Sequence, residues 1–91
     1  MALQIVNAGG SDAQKTAEKM REAILNAIAG AEVEVRPIST GHFEISVRSS
    51  AFSGKTRVAQ HQLVYAAITD LMTGDGAPVH AIDRLDCLIP E

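Results

Sequence analysis

Four side chains that could bind a metal ion are spread along the sequence: His42, His61, His80 and Cys87. Imidazole and thiolate are common zinc ligands, but zinc sites draw on closely spaced pairs of them. The sequence contains no such pair, so the spacing does not predict an intrinsic zinc site. As the only cysteine, Cys87 cannot form a disulfide within the chain, and we interpret it as a small core residue.

A second candidate is a group of basic residues, Arg48, Lys55 and Arg57, around a glycine turn in the middle of the chain. Such a group could contact nucleic-acid phosphates, or it could be ordinary solvated surface. The net charge of −3 disfavours a large nucleic-acid surface. The aromatic content of 3% also provides few side chains on which bases could stack.

Two patterns that would indicate an enzyme are incomplete. Residues 54–56, with the sequence GKT, resemble the end of a phosphate-binding P-loop, but Ser49 stands where that motif requires glycine. The serines Ser49, Ser50 and Ser53 have no recognisable base and acid partners for nucleophilic catalysis. We therefore predict that the protein is not an enzyme.

The sequence around the basic residues changes from a strand pattern to a helix pattern. From His42 to Arg48, polar and apolar residues alternate with the period of two that is typical of a half-buried strand. A helix is predicted to begin after Thr56, whose hydroxyl can cap its first turn. His61 is predicted to point inward from this helix as a packed core residue. The full inward face, at a period of 3.6, comprises Val58, His61, Val64, Tyr65, Ile68, Leu71 and Met72.

The amino-terminal part of the sequence predicts a tail followed by a helix. We interpret residues 1–10 as a short flexible tail and residues 11–91 as a single domain. The S-x-x-Q pattern that begins at Ser11 is a helix-capping box, and the helix predicted from it ends near Ala29. The predicted inward stripe of this helix is Ala13, Ala17, Met20, Ile24, Ala27 and Ile28.

Two further strands complete the predicted fold. Residues 32–38 alternate and include Pro37, which favours an edge strand because proline cannot donate to a sheet ladder. A turn at residues 39–41 joins this strand to the next one as a hairpin, and residues 79–89 form a third strand. The predicted order is helix, strand, strand, helix, strand. This is an α+β fold with a three-stranded mixed sheet and both helices packed on one face.

The predicted connectivity places two histidines near each other. A strand–helix–strand connection of this length normally returns parallel to the strand that it left. His42 opens the second strand and His80 the third, so neighbouring strands about 4.8 Å apart would bring both to the same edge of the sheet. There the two imidazoles could share a ligand, or each could be a solvated loop histidine.

Several segments in combination resemble the BolA family. They are GHFEISV, SSAFSG, the histidine-containing helix VAQHQLVYAAI and the histidine–alanine pair in VHAI, and they fall within residues 13–82. The resemblance implies the element order predicted above, in a fold similar to a type II KH domain. It also implies a monothiol glutaredoxin as partner, with a bridging two-iron, two-sulfur cluster held between the two proteins and the glutathione of the glutaredoxin.

The resemblance further implies which residues bind the cluster. His80 matches the histidine of the histidine–alanine pair, and His42 is the candidate for the ligand that the family takes from the loop before the second strand. Imidazole can replace thiolate on one iron of such a cluster. The isolated chain is expected to carry no cofactor, and to be a monomer or a weak homodimer.

The sequence departs from the family pattern in two places. Ala59 and Gln60 stand where many members have lysine or arginine, and the segment RLDCLIPE is offset by one residue after the histidine–alanine pair. The offset predicts a bulge in the last strand or an altered partner surface. We favour an iron–sulfur adaptor. The alternative is a transcriptional regulator that binds DNA weakly through Arg48, Lys55 and Arg57.

No apolar run in the sequence is long enough to span a membrane. The first residues, MALQIVNAGGS, lack the basic and apolar regions of a secretory signal. The single cysteine also suits a reducing compartment. We therefore expect a cytoplasmic protein with no membrane partner.

Overall fold

A computed structural model describes the backbone of residues 3–91 and the side-chain environment of residues 12–91. The chain order is helix, strand, strand, helix, strand, with a short 3-10 turn before the second helix. This order confirms the α+β fold predicted from the sequence. The elements are α1 (Leu3–Ala27), β1 (Glu32–Ser39), β2 (His42–Arg48), the 3-10 turn (Ser50–Phe52), α2 (Arg57–Met72) and β3 (Ala81–Leu88).

The sheet has the strand order β1-β2-β3, so that β2 is the central strand. β1 pairs with β2 in the antiparallel direction as a hairpin, and β3 returns parallel to β2. Both directions agree with the connectivity predicted from the sequence. Because β1 lies at an edge of the sheet, Pro37 can occupy it without interrupting an inner ladder.

The core lies between the two helices and one face of the sheet. β2 contributes Phe43, Ile45 and Val47 to this face, and each is at most 1% exposed. The alternation predicted for β2 is therefore confirmed, with the intervening side chains on the other face. The apolar side chains that the helices and connecting segments bury in this core are Ala17, Met20, Ile24, Ile28, Phe52, Val64, Ile68 and Val79.

Helix α1 begins earlier than the sequence predicted. Its backbone is helical from Leu3, so residues 3–10 of the segment interpreted as a tail are helical, and Ser11 lies within the helix rather than at its cap. Consecutive glycines each cost roughly 1 kcal/mol in a helix interior, which weakens a helix without forbidding it. The helix ends at Ala27, whose side chain is exposed rather than inward as predicted. The capping contacts predicted for the Ser11 side chain lie outside the described residues, and the domain boundary at residue 11 stays a prediction.

The inward face of α2 is narrower than predicted. Val64 and Ile68 are buried, but Val58 is 66% exposed and Tyr65 is 37% exposed. At 3.6 residues per turn, Tyr65 is rotated from Val64 by about 100° and Val58 by about 120°, which turns both away from the sheet. His61 lies closer to the Val64 direction and is half-buried at the margin of the face.

No helix within residues 3–91 combines the length and apolar character that a membrane span requires.

Candidate metal-ligand site

The turn between β1 and β2 contacts the residue before β3. The Gly41 carbonyl accepts hydrogen bonds from the backbone N–H groups of His80, at 2.8 Å, and of Ala81, at 3.0 Å. Gly41 has a φ of +76°, in the left-handed region that glycine adopts without strain. The backbone position of His80 is therefore fixed directly by the tip of the β-hairpin.

The imidazole of His80 packs against Gly41. A Cβ atom added at residue 41 would lie 2.6 Å from Cγ of His80 and 3.0 Å from its Cε1, both too close for ordinary contact. Glycine at position 41 is thus favoured by the backbone conformation and also by the histidine ring above it. His80 is exposed, so the ring has one side on the turn and the rest accessible to a partner.

His42 lies at the same edge of the sheet as His80. In the parallel pairing of β2 with β3, His42 is opposite Ala81, the residue that follows His80. The structure therefore brings the two predicted histidines to one edge, as the parallel crossover implied. The ligand role of either histidine stays a prediction.

The His42 ring contacts an acidic residue of β3. His42 Nδ1 lies 2.9 Å from Oδ1 of Asp83, and the two side chains are 41% and 40% exposed. Asp83 is the extra residue of a β-bulge, because the strand pairing passes from Phe43 opposite Ile82 to Glu44 opposite Arg84. This confirms the bulge predicted from the one-residue offset after the histidine–alanine pair. The contact with His42 was not predicted, and its sequence signal was the position of Asp83 two residues after Ala81, on the same face of the strand.

The donor set at this edge fits part of a metal site. Within residues 12–91, no group of three or more His, Cys, Asp or Glu side chains is arranged to hold a metal ion. Two accessible imidazoles instead match the two histidines that can serve one iron of a two-iron cluster, with thiolates on the other iron. Two imidazoles could thus supply half of the four ligands that such a cluster takes.

A cleft of about 330 Å³ adjoins the same edge. Its walls come from α1, the β1–β2 turn and the loop before β3, and Gly41 belongs to both the cleft and the His80 contact. Its volume is at the lower end of the range of small-molecule pockets, roughly 300–1,000 Å³. The residues that line the cleft are Asp12, Ala13, Thr16, Thr40, Gly41, Phe43 and Pro78.

The predicted basic group lies away from His42 and His80. Arg48 is the last residue of β2 and His42 the first, so at about 3.3 Å per residue they are roughly 20 Å apart. Arg48 Nε lies 3.7 Å from Glu32 Oε1, whereas Lys55 and Arg57 are exposed at the start of α2. This helix start is capped as predicted, because the Thr56 Oγ1 accepts a hydrogen bond of 3.1 Å from the Ala59 N–H. Any nucleic-acid surface on the basic group would be separate from the histidine edge, which is the edge of the sheet that carries His42 and His80.

His61 and Cys87 line a different cleft, of about 280 Å³, between α2 and β3. His61 is half-buried there instead of enclosed in the core, which corrects the sequence prediction. Cys87 packs partly against the core, as predicted. Burial raises the pKa of the Cys87 thiol, and the negative charge of Asp86 raises it further. Both effects disfavour the thiolate form of Cys87.

Comparison with known proteins places this fold in one family. The family model described as BolA-like protein matches residues 10–90, which is nearly the whole chain. The chain belongs to the BolA family. BolA-like protein 1 of Bos taurus is 42% identical over 48 residues, a match that covers 53% of this chain and 33% of that protein. The matched segment is thus about a third of the length of the curated relative.

Solved structures share the BolA fold. The BolA domain of SufE1 from Arabidopsis thaliana superposes with a TM-score of 0.69 at 24% identity, over 81% of this chain and 91% of that one. A BolA protein homologue from Coxiella burnetii gives a TM-score of 0.64 at 28% identity, over 78% of this chain and 86% of that one. The family resemblance seen in the sequence and the predicted fold are both confirmed.

Proposed function

We propose that this BolA protein is a non-enzymatic adaptor that binds a monothiol glutaredoxin and supplies His80 and His42 as ligands of a bridging two-iron, two-sulfur cluster. The observation that carries the proposal is the presence of two accessible imidazoles at one edge of the sheet. Membership of the BolA family supports it. The role would be iron–sulfur cluster trafficking or the sensing of iron and redox state in the cytoplasm.

The chemistry of the donors suits a shared cluster. A two-iron cluster takes four ligands, and imidazoles can replace thiolates on one of its irons, which raises the reduction potential. His80 and His42 would supply that pair, while the glutaredoxin and its glutathione would supply sulfur ligands to the other iron. The isolated chain, with its incomplete ligand set, would then carry no cluster.

His80 is the better-fixed ligand of the two. Its backbone N–H is hydrogen-bonded to Gly41 and its ring is held against the same residue. A ligand that is already oriented loses little conformational freedom on binding, so we expect His80 to dominate the stability of the shared cluster. His42 lies on the neighbouring strand and would complete the pair.

The test is anaerobic reconstitution of a cluster on a mixture of the purified chain and a monothiol glutaredoxin. The parent should give a visible chromophore and a circular dichroism spectrum that differ from those of the glutaredoxin alone. His80→Ala should keep the parental unfolding midpoint but lose the stable mixed complex, because an exposed ring is removed without opening a core cavity. His42→Ala should leave some heterodimer with an altered spectrum or faster cluster release.

His61→Ala is the matched control, since it also removes one imidazole but from the cleft between α2 and β3. The folded fraction of this variant should form the parental mixed cluster. If His80→Ala gives the same absorption and circular dichroism as the parent, the ligand assignment is wrong. An unchanged spectrum and release rate for His42→Ala would return His42 to the class of solvated histidines.

A transcriptional regulator is the second candidate function, and the exposure of Lys55 and Arg57 at the start of α2 favours it. The logarithm of DNA affinity falls as the logarithm of salt concentration rises, with a slope of about −0.9 for each phosphate contact. Three contacts, by Arg48, Lys55 and Arg57, would therefore give a slope near −3. We expect only such weak, sequence-indifferent binding. Alanine at all three positions should flatten the slope without affecting cluster assembly. A specific DNA site that binds with submicromolar affinity at physiological salt, and is lost on Lys55→Ala, would favour the regulator.

A further inference from the structure

The contact between His42 and Asp83 has a geometry that can set which ring nitrogen of His42 is free. We propose that Asp83 is a positioning residue, which holds the proton of His42 on Nδ1 and leaves Nε2 as the ligating nitrogen. This inference rests on the proposed function, because it concerns how His42 would bind the shared cluster. It assigns a role to a residue that contributes no ligand itself.

The tautomer follows from the hydrogen-bonding capacity of the two groups. A carboxylate has acceptor oxygens and no proton to donate, so at 2.9 Å from Asp83 Oδ1 the Nδ1 atom of His42 must be the donor. A neutral imidazole carries one proton, and with that proton on Nδ1 its lone pair is on Nε2. Metal-bound histidines commonly donate their other ring N–H to a carboxylate in this way, which fixes the tautomer and strengthens the ligand.

Strand alternation explains how Asp83 comes to face His42. Side chains on a strand alternate between the two faces of the sheet, so Asp83 lies on the same face as Ala81, two residues earlier. Ala81 pairs with His42, which places Asp83 on the face that carries the His42 ring. The bulge follows from Asp83 itself, since Ile82 and Arg84 are the residues paired with successive positions of β2.

The charged residues near His42 and Asp83 form ion pairs with one another. Arg84 Nε lies 3.1 Å from Asp86 Oδ2, and Arg36 Nη2 lies 3.0 Å from Glu44 Oε1. The arginines on the flanking strand positions therefore have their own acidic partners. In the described part of the chain, the ion-pair partner of Asp83 is His42.

The exposure of the pair argues against a mainly structural purpose. The His42 and Asp83 side chains are 41% and 40% exposed, and exposed ion pairs contribute little to folding stability. The same exposure leaves the His42 ring accessible to a partner. Orientation of the ring is therefore the effect that this contact can produce.

The first experiment reads the tautomer in the chain alone, by long-range proton–nitrogen NMR of protein with nitrogen-15-labelled histidine. In the parent at a pH where His42 is neutral, we expect the pattern of the Nδ1–H tautomer. Asp83→Ala should lose this pattern while the His80 signals stay in place. Asp86→Ala is the control, because it removes one negative charge from the same strand without touching His42. An Nε2–H pattern in the parent, or an unchanged pattern in Asp83→Ala, would overturn the proposal.

The second experiment measures cluster release from the reconstituted complex with a monothiol glutaredoxin. Loss of such an outer partner typically weakens metal binding by about 10–100-fold, so Asp83→Ala should release the cluster about tenfold faster or more. Asp83→Glu, which keeps a carboxylate, should restore part of the difference, and Asp86→Ala should release at the parental rate. Parental release by Asp83→Ala, with a chromophore present, overturns this inference and leaves the proposed function standing. Absence of any chromophore in the parent overturns the proposed function and with it the ligating role of His42.

Discussion

Replacement of Gly41 by alanine should displace the His80 ring while the protein remains folded. The new Cβ would lie 2.6 Å from Cγ of His80, so the imidazole must leave its place on the turn. The backbone at residue 41 would also have to keep a φ of +76° with a side chain attached. We therefore predict that Gly41→Ala folds but fails to form a stable mixed cluster with a monothiol glutaredoxin.

The stability change can be worked out from the same two features. A residue with a Cβ in the left-handed region costs about 1–2 kcal/mol. The His80 ring is exposed, so its displacement into water adds little. A domain of 91 residues has a stability of roughly 5–13 kcal/mol, so the variant remains folded at 25 °C. At roughly 4–8 °C per kcal/mol for a domain of this size, the unfolding midpoint should fall by about 4–16 °C.

Gly54→Ala is the matched control for this variant. Gly54 has a φ of +77°, almost the same as that of Gly41, but a Cβ there would meet no atom within 4 Å. Thermal unfolding followed by far-ultraviolet circular dichroism should show a similar loss of stability for both variants. Anaerobic reconstitution should then show the parental cluster for Gly54→Ala only. The reasoning fails if Gly41→Ala assembles the cluster as well as the parent does, or if both variants lose it equally.

Three other predictions concern residues away from the histidine edge. Ser49 is 1% exposed, and its Oγ donates a hydrogen bond to the Ala29 carbonyl at 3.3 Å and accepts one from the Ala51 N–H at 3.0 Å. Ser49→Ala should therefore lower the free energy of unfolding, measured by urea titration, by about 1–3 kcal/mol. A change below about 0.5 kcal/mol would mean that these hydrogen bonds are replaced by water. His61→Ala should destabilise the fold by about 1 kcal/mol, the usual size for a point substitution, and parental stability combined with a lost cluster would instead identify His61 as functional. Burial and the charge of Asp86 raise the pKa of the Cys87 thiol from its ordinary value, so the thiolate forms at higher pH than in an exposed cysteine. Alkylation at pH 8, followed by mass spectrometry, should therefore be slower in the folded chain than in urea. Equal rates in both states would show that burial does not protect the thiol.

Local patterns in the sequence were sufficient to predict the order of helices and strands. They were also sufficient to predict that His42 and His80 lie at one edge of the sheet, because that depends on how the strands are connected. Alternation identified β2, and Pro37 identified β1 as an edge strand, because both signals depend on backbone geometry within one element. The expected parallel return of the strand–helix–strand connection then placed His42 and His80 at one edge before any side-chain position was known. The same local reasoning did not recover the start of α1 or the packed face of α2. The backbone continues as a helix through the glycines at residues 9–10, and the packed face of α2 leaves out Val58 and Tyr65.

Side-chain contacts between elements were decided only by the tertiary structure. The packing of His80 on Gly41 depends on how close the hairpin turn comes to the loop before β3. The reach of Asp83 to His42 depends on the register of two strands that are far apart in the chain. From the sequence alone, periodicity assigned residues to the faces of helices and strands, and connectivity assigned two histidines to one edge of the sheet. Which atoms touch depends on distances of a few ångströms between separate elements, and periodicity within one element carries no information about those distances.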